Sequence, residues 1–144
     1  MFSTIYNIAA SAMSANRLRI NTIASNLANA ETTRTPEGGP YKRRDVVFAA
    51  TDVKKDFASS LDKASLKSVS VAAVTTDDKE PRLVYDPGHP DADKETGMVA
   101  MPNVNTVTEM VNMITASSAY KAAAEIVSVT KEMGAALRRL SERS

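Results

Sequence analysis

The stretch Ser3 to Ala30, STIYNIAASAMSANRLRINTIASNLANA, decides how the rest of the chain is read. It is a long helical pattern that carries charge only at Arg17 and Arg19. Phe2, Tyr6, Ala9, Met13, Asn16, Ile20, Ile23, Leu27 and Ala30 recur at spacings of three and four, the repeat that keeps one stripe against a partner helix. Asn16 is its single polar interruption. Off the stripe stand Ile5, Ile8, Ala10, Ala12, Ala24 and Ala28 among Ser, Thr and Asn, where an ordinary surface helix carries Lys and Glu. Such a helix expects cover on several sides. Burying Ile20, Ile23 and Leu27 contributes roughly 5 to 9 kcal/mol gross, whereas ordering each backbone costs roughly 1 to 2 kcal/mol. One seam cannot hold it; a second helix from the same chain is required, and neighbours from other copies are expected.

The second helix is legible in the final third. Thr106 and Glu109 have the spacing of a capping box, and a helical pattern runs from there to Leu140. Val107, Met110, Val111 and Ile114 mark one face, and Ile126, Val129, Met133, Leu137 and Leu140 mark another. At the α-helical rise this second helix spans roughly 50 Å and the first roughly 40 Å, so the two are natural partners. The first is expected to start at Ser3 or Thr4. It should stop near Asn29, a residue that tolerates the left-handed conformation closing many helices, ahead of Pro36.

Between the helices the period changes. Thr32 to Pro40 contains Pro36, Gly38, Gly39 and Pro40 and reads as a loop. Val46 to Phe48 reads as a strand, Val69 to Ala73 alternates as a half-buried strand does, and Arg82 to Tyr85 is its expected neighbour. Gly97 to Met101 is a last short strand. Val53, Phe57, Leu61 and Ala64 fit a short amphipathic helix, and Asp86-Pro87-Gly88 fits a type II turn. The expectation is one antiparallel sheet of three or four strands inserted between two helical ends. The fold class is therefore α+β. Residues 1–33 and 103–144 would form a paired, coiled-coil-like polymerisation unit, and 34–102 a small β-rich middle.

At 144 residues, 43% hydrophobic, 24% charged and with a net charge of +1, the chain suits one globular domain and not a polybasic binder. It has no Cys, which excludes thiolate catalysis and zinc–cysteine sites. The five glycines form no phosphate-cradling loop. His89, the only histidine, lies near Asp86, Asp91 and Asp93, but prolines intervene and no second His completes a metal site, so it reads as part of a solvated turn. No catalytic, metal or cofactor residue is expected. Lys42, Arg43 and Arg44, with Arg34, lack interleaved aromatics and read as a solvated or subunit-facing cluster, not a nucleic-acid site. No apolar run reaches the roughly 18 residues of a membrane span. Ala10-Ser11-Ala12 resembles a cleavage site, but no positive charge precedes it and Asn7 breaks the apolar run, so no cleaved signal peptide is expected.

Ala24-Ser25-Asn26-Leu27-Ala28-Asn29-Ala30 resembles the N-terminal signature of bacterial flagellar axial proteins, the rod and hook family. Arg34 to Tyr41, Arg82 to Pro90 and Gly97 to Met113 are similar to the proximal-rod members of that family. The chain departs from the family at Tyr120-Lys121-Ala122-Ala123, where the last residue is usually Asn, and in its basic ending Arg138 to Ser144. The resemblance implies a structural subunit, not an enzyme, of the flagellar basal-body rod in the periplasm. It further implies export by the flagellar type III apparatus without a cleaved signal. Expected partners are other copies of the chain, sibling rod proteins and a rod-to-membrane-ring adaptor. The expected subunit interface is Met13, Ile20, Ile23, Asn26, Leu27, Ala28 and Asn29 on the first helix. On the second it is Met110, Met113, Ile114, Tyr120, Val127, Met133 and Leu137. A soluble coiled-coil adaptor or chaperone forming a discrete dimer is the competing reading; its helices would need charged outer faces.

Overall fold

The structure, a computed structural model, describes residues 2–53 and 66–141. In chain order the elements are α1 (Phe2–Ala28), β1 (Arg44–Asp52), β2 (Lys67–Thr76), β3 (Arg82–Tyr85), β4 (Met98–Met101) and α2 (Thr106–Ser141), an α+β chain with a helix at each end. α1 packs along α2 and also against β1 and β2. Asn26 meets Glu109 at one end of the helix pair, and Tyr6 shares a shallow cleft with Thr130 and Gly134 towards the other, so the two helices run antiparallel.

The α1 stripe is covered as its spacing requires. Ala9, Ile23 and Ala30 are buried, and Tyr6, Met13, Asn16, Ile20 and Leu27 are half-buried. Asn16 donates to the Ala12 carbonyl at 2.8 Å, which satisfies the polar interruption inside the helix itself. A second face carries buried Ala15 and Thr22. On that side the Arg19 guanidinium lies over the Phe48 ring at 5.7 Å, and Ser11 Oγ accepts the Val69 amide at 3.3 Å. The third face, Ser3, Asn7, Ala10, Ser14, Arg17, Asn21, Ala24 and Ala28, is exposed in the single chain.

Asn29 ends α1 by a different device from the one expected. No residue other than glycine has a positive φ among the described residues. Instead Asn29 Nδ2 donates to the Ser25 carbonyl at 2.9 Å and Thr32 Oγ1 donates to Asn29 Oδ1 at 3.1 Å, so a side chain satisfies the free end of the helix. The capping box at the start of α2 is also corrected. Asn105 is the cap, its Oδ1 accepting the Thr108 amide at 3.0 Å, and the Glu109 carboxylate is turned inward.

The strands form two separate two-stranded antiparallel sheets, β1 with β2 and β3 with β4, not one larger sheet. Asp77, whose amide bonds to the Arg43 carbonyl at 2.7 Å, ends the first hairpin, and Pro81 precedes the second. Arg82 to Tyr85 then pairs with Met98 to Met101 instead of with β2. In the first sheet Val47 faces Ala73 and Phe48 faces Val71, which leaves Ala72 as a bulge and breaks the expected alternation. Ser68 to Val71 are all half-buried, and everything from Ala72 to Thr76 is exposed. The turn at Asp86 is not type II, because Gly88 lacks a positive φ. Its Asp86 carboxylate accepts the Gly88 amide at 3.2 Å, and the Asp86 carbonyl accepts the His89 amide at 3.2 Å. The short helix expected between Asp52 and Ala64 lies outside the described residues.

Candidate subunit interface and the buried polar clamp

The two helices and the start of β1 meet at a buried cluster of polar side chains. Asn26, fully buried near the C-terminal end of α1, makes every hydrogen bond that an amide side chain can make. Its Nδ2 donates to the Arg44 carbonyl at 2.8 Å and to Glu109 Oε2 at 3.0 Å. Its Oδ1 accepts from the Arg44 amide at 3.0 Å and from the Tyr41 hydroxyl at 2.9 Å. One side chain thus binds both backbone groups of Arg44, as a neighbouring strand would, and places the first residue of β1 against the helices.

Glu109 is the lone charge between Thr106 and Tyr120 and is fully buried. A buried carboxylate is costly unless it is paired and hydrogen-bonded. Arg43 Nε meets Oε1 at 2.8 Å while Asn26 holds Oε2, and Arg43 Nη1 also reaches Asp45 at 3.2 Å. Partial burial pulls the Arg43 pKa down, but hydrogen bonds and charge attraction from Glu109 and Asp45 outweigh it and hold the group above its ordinary value. Among the described residues no buried side-chain nitrogen or oxygen lacks a partner.

α2 has faces of different character. Glu109, Ala116, Ala123 and Thr130 are its buried residues, seven apart. Met113, Tyr120 and Val127 are half-buried beside them, and Tyr120 lines a cleft with Met13. Past Glu109 the fully buried positions of the inner face are therefore all small side chains. Outside it stand two apolar groups on different faces, Val107, Met110, Val111 and Ile114, then Ile126, Val129, Met133, Leu137 and Leu140, all exposed, Ile114 by 67%. Groups of bulky aliphatic side chains facing water along a helix are unusual for an isolated soluble chain.

These placements divide the residues expected at the interface. Ile23 and Asn26 are buried within the chain, and Asn29 closes its own helix. Met13, Ile20, Leu27, Met113, Tyr120 and Val127 are half-buried. Ala28, Met110, Ile114, Met133 and Leu137 are exposed. Tyr41, Arg43 and Glu109 escaped the sequence reading as members of one site. The signal available for Glu109 was its isolation in an uncharged helix face; Arg43 sat in what read as a solvated basic cluster. His89 sits in a turn, where its Nδ1 accepts the Asp91 amide at 3.0 Å. No helix among the described residues is long and apolar enough to cross a membrane.

Known proteins share both ends of this architecture. Residues 7–34 match the family described as Flagella basal body rod protein, and residues 95–140 match the Flagellar basal body rod FlgEFG protein C-terminal family. A flagellar basal-body rod protein FlgC of Borreliella burgdorferi is 42% identical over 143 residues, 92% of each chain. The chain belongs to the FlgC family of flagellar basal-body rod proteins. FlgC of Escherichia coli O157:H7 is 41% identical over 129 residues, 90% of each chain. FlgC of Bacillus subtilis is 37% identical over 137 residues, 88% of this chain and 89% of that one. The FlgC matches span the middle region as well as the helices, so the likeness is not confined to the terminal signature.

Proposed function

We propose that this chain is a structural subunit of the proximal flagellar rod, polymerising through its terminal helices into a tube that encloses the export channel and transmits torque for motility. The observation that carries the reading is the set of exposed aliphatic residues on α2, together with an exposed α1 face on which Ser3, Ala10, Ser14, Ala24 and Ala28 are small. Bulky side chains on one subunit fit against small ones on the next, where helix axes approach closely. Covering each such aliphatic side chain contributes on the order of 1 kcal/mol or more, so many modest contacts along long helices give stiffness by number. Head-to-tail contacts between different surfaces generate an open helical assembly.

In this reading the terminal helices, 1–33 with 103–144, are the polymerising unit, and coiled-coil-like pairing is supported by the seven-residue spacing of the buried α2 positions. Residues 34–102 brace the tube from outside. Neighbours are other copies, sibling rod proteins and a rod-to-membrane-ring adaptor. The chain is delivered by the flagellar type III export apparatus and assembles across the periplasm. The belonging to FlgC supports a structural role over a catalytic one, and α1, charged only at Arg17 and Arg19, disfavours the discrete dimer.

The test is Ile114→Asp and Val129→Asp, each made in the flagellated cell and in purified protein. Both should leave the helical circular dichroism of the purified chain unchanged and abolish rod assembly and swimming. Normal rods in both variants, or a purified chain that sizes as a discrete dimer at every concentration, would defeat the proposal.

A further inference from the structure

The fully buried row of α2 has little in its shape to choose one alignment along α1, whereas Met113, Tyr120 and Val127 beside it are only half-buried. Ala116 and Ala123 are identical residues seven apart in equivalent buried positions, and Thr130 is nearly as small. Sliding α2 by seven residues, roughly 10.5 Å, would place Ala on Ala and keep the same face inward. Packing of that buried row separates such alignments weakly. Glu109 and Asn26 are different. Among the described residues they are the only two fully buried polar side chains that bond to each other across the seam, and each is saturated only in the observed alignment. A slip that brings Ala116 opposite Asn26 carries the Glu109 carboxylate away from Arg43 Nε and past the end of α1 at Ala28, and leaves Asn26 Nδ2 short of an acceptor inside the packed seam, where an unpaired polar group is disfavoured.

We propose that Asn26 and Glu109, with Arg43 behind the carboxylate, are a register key that sets where α2 lies along α1. They are positioning residues, with Asn26 and Glu109 fully buried inside the chain. Their effect is exerted through the exposed aliphatic residues of α2, whose height relative to β1 and the two hairpins they define. A subunit slipped by one heptad presents the same aliphatic side chains displaced by a length that no neighbouring subunit shares. A single buried polar contact fixing the alignment of an apolar seam is an established physical device. The competing explanation is the short connector from Pro102 to Asn105, which also ties α2 to β4.

The chain contains no cysteine, so engineered pairs report alignment without background. In the purified full-length chain, Met13→Cys is combined with Tyr120→Cys, which reports the observed alignment, or with Val127→Cys, which reports α2 displaced by seven residues. With the key intact the Tyr120 pair should oxidise in about tenfold excess. Glu109→Ala with Ala116→Glu moves the key by one heptad, and the Val127 pair should then dominate by a similar factor; adding Asn26→Ala should remove that preference. If the relocated chain loses its helical circular dichroism, Asn26→Leu with Glu109→Leu decides instead, and both pairs should form within about threefold of each other. Dominance of the Tyr120 pair in the relocated or the double-leucine chain would show that the connector sets the register and overturn the proposal. So would the absence of any preference with the key intact.

Discussion

Asn26 Nδ2 donates to Glu109 Oε2 at 3.0 Å, joining two residues 83 positions apart in a site from which water is excluded. Because Asn26 also donates to the Arg44 carbonyl and accepts from the Arg44 amide and Tyr41, its donors and acceptors are both required. Asn26→Asp keeps the shape and removes the donors, setting a carboxylate against Glu109 and a carbonyl. It should destabilise the purified chain by about 3 to 5 kcal/mol, more than Asn26→Ala, as read from urea denaturation. Equal losses for the two variants would mean that the donors contribute little.

Arg43 and Glu109 should be energetically coupled. Arg43→Ala leaves the buried carboxylate with Asn26 alone, and Glu109→Ala leaves Asn26 Nδ2 short of an acceptor. A double-mutant cycle should give a coupling of roughly 1 to 3 kcal/mol. A value near zero would place Arg43 among ordinary surface charges.

Ile23 and Ile114 should respond to the same substitution in opposite ways. Ile23 is buried at the helix pair and Ile114 is 67% exposed. Ile23→Asp puts an unpaired carboxylate in the packed seam and should lower the stability of the isolated chain by several kcal/mol. Ile114→Asp should leave that stability unchanged and act only on assembly. Thermal denaturation of the two purified variants separates the cases.

Gly97 has φ +67, and a Cβ there would lie 2.9 Å from Cε2 of the Tyr85 ring. Backbone strain and the steric clash therefore act together. Gly97→Ala should cost about 1 to 2 kcal/mol or more in the β3–β4 hairpin. Local loss of amide protection at Asp86 and Met98, with the α1 and α2 amides unaffected, is the expected signature in hydrogen exchange.

Asp93 shapes the turn before Gly97. Its Oδ1 accepts the Thr96 amide at 2.8 Å, the Thr96 hydroxyl at 3.0 Å and the Glu95 amide at 3.0 Å, and the Thr96 bonds first, then the Glu95 amide, hold its pKa below the usual aspartate range. A carboxyl depressed on folding contributes stability above its unfolded pKa and loses it as pH falls through the folded value. The turn should therefore hold unchanged from neutral pH down to the ordinary aspartate range and loosen below it. Chemical shifts of the Glu95 and Thr96 amides across an acid titration follow this directly; Asp93→Asn should abolish the transition.

The Ser3 to Ala30 pattern by itself determined a helix covered on one stripe and in need of company, because period and charge are local properties of a sequence. The same holds for the second helix, for the four strands and for the family resemblance at Ala24 to Ala30. Which strands pair was not local: Arg82 to Tyr85 has no pattern that prefers Met98 to Met101 over β2, and only the path of the backbone past Asp77 and Pro81 decides it. The destination of Glu109 was equally hidden. Three residues after Thr106 it satisfied the spacing of a capping box, yet Asn105 takes the cap and the carboxylate turns inward to Asn26 and Arg43. Hydrogen-bonding side chains have several acceptable partners along the chain, and the tertiary structure selects among them by bringing distant residues within 3 Å of each other where water cannot compete.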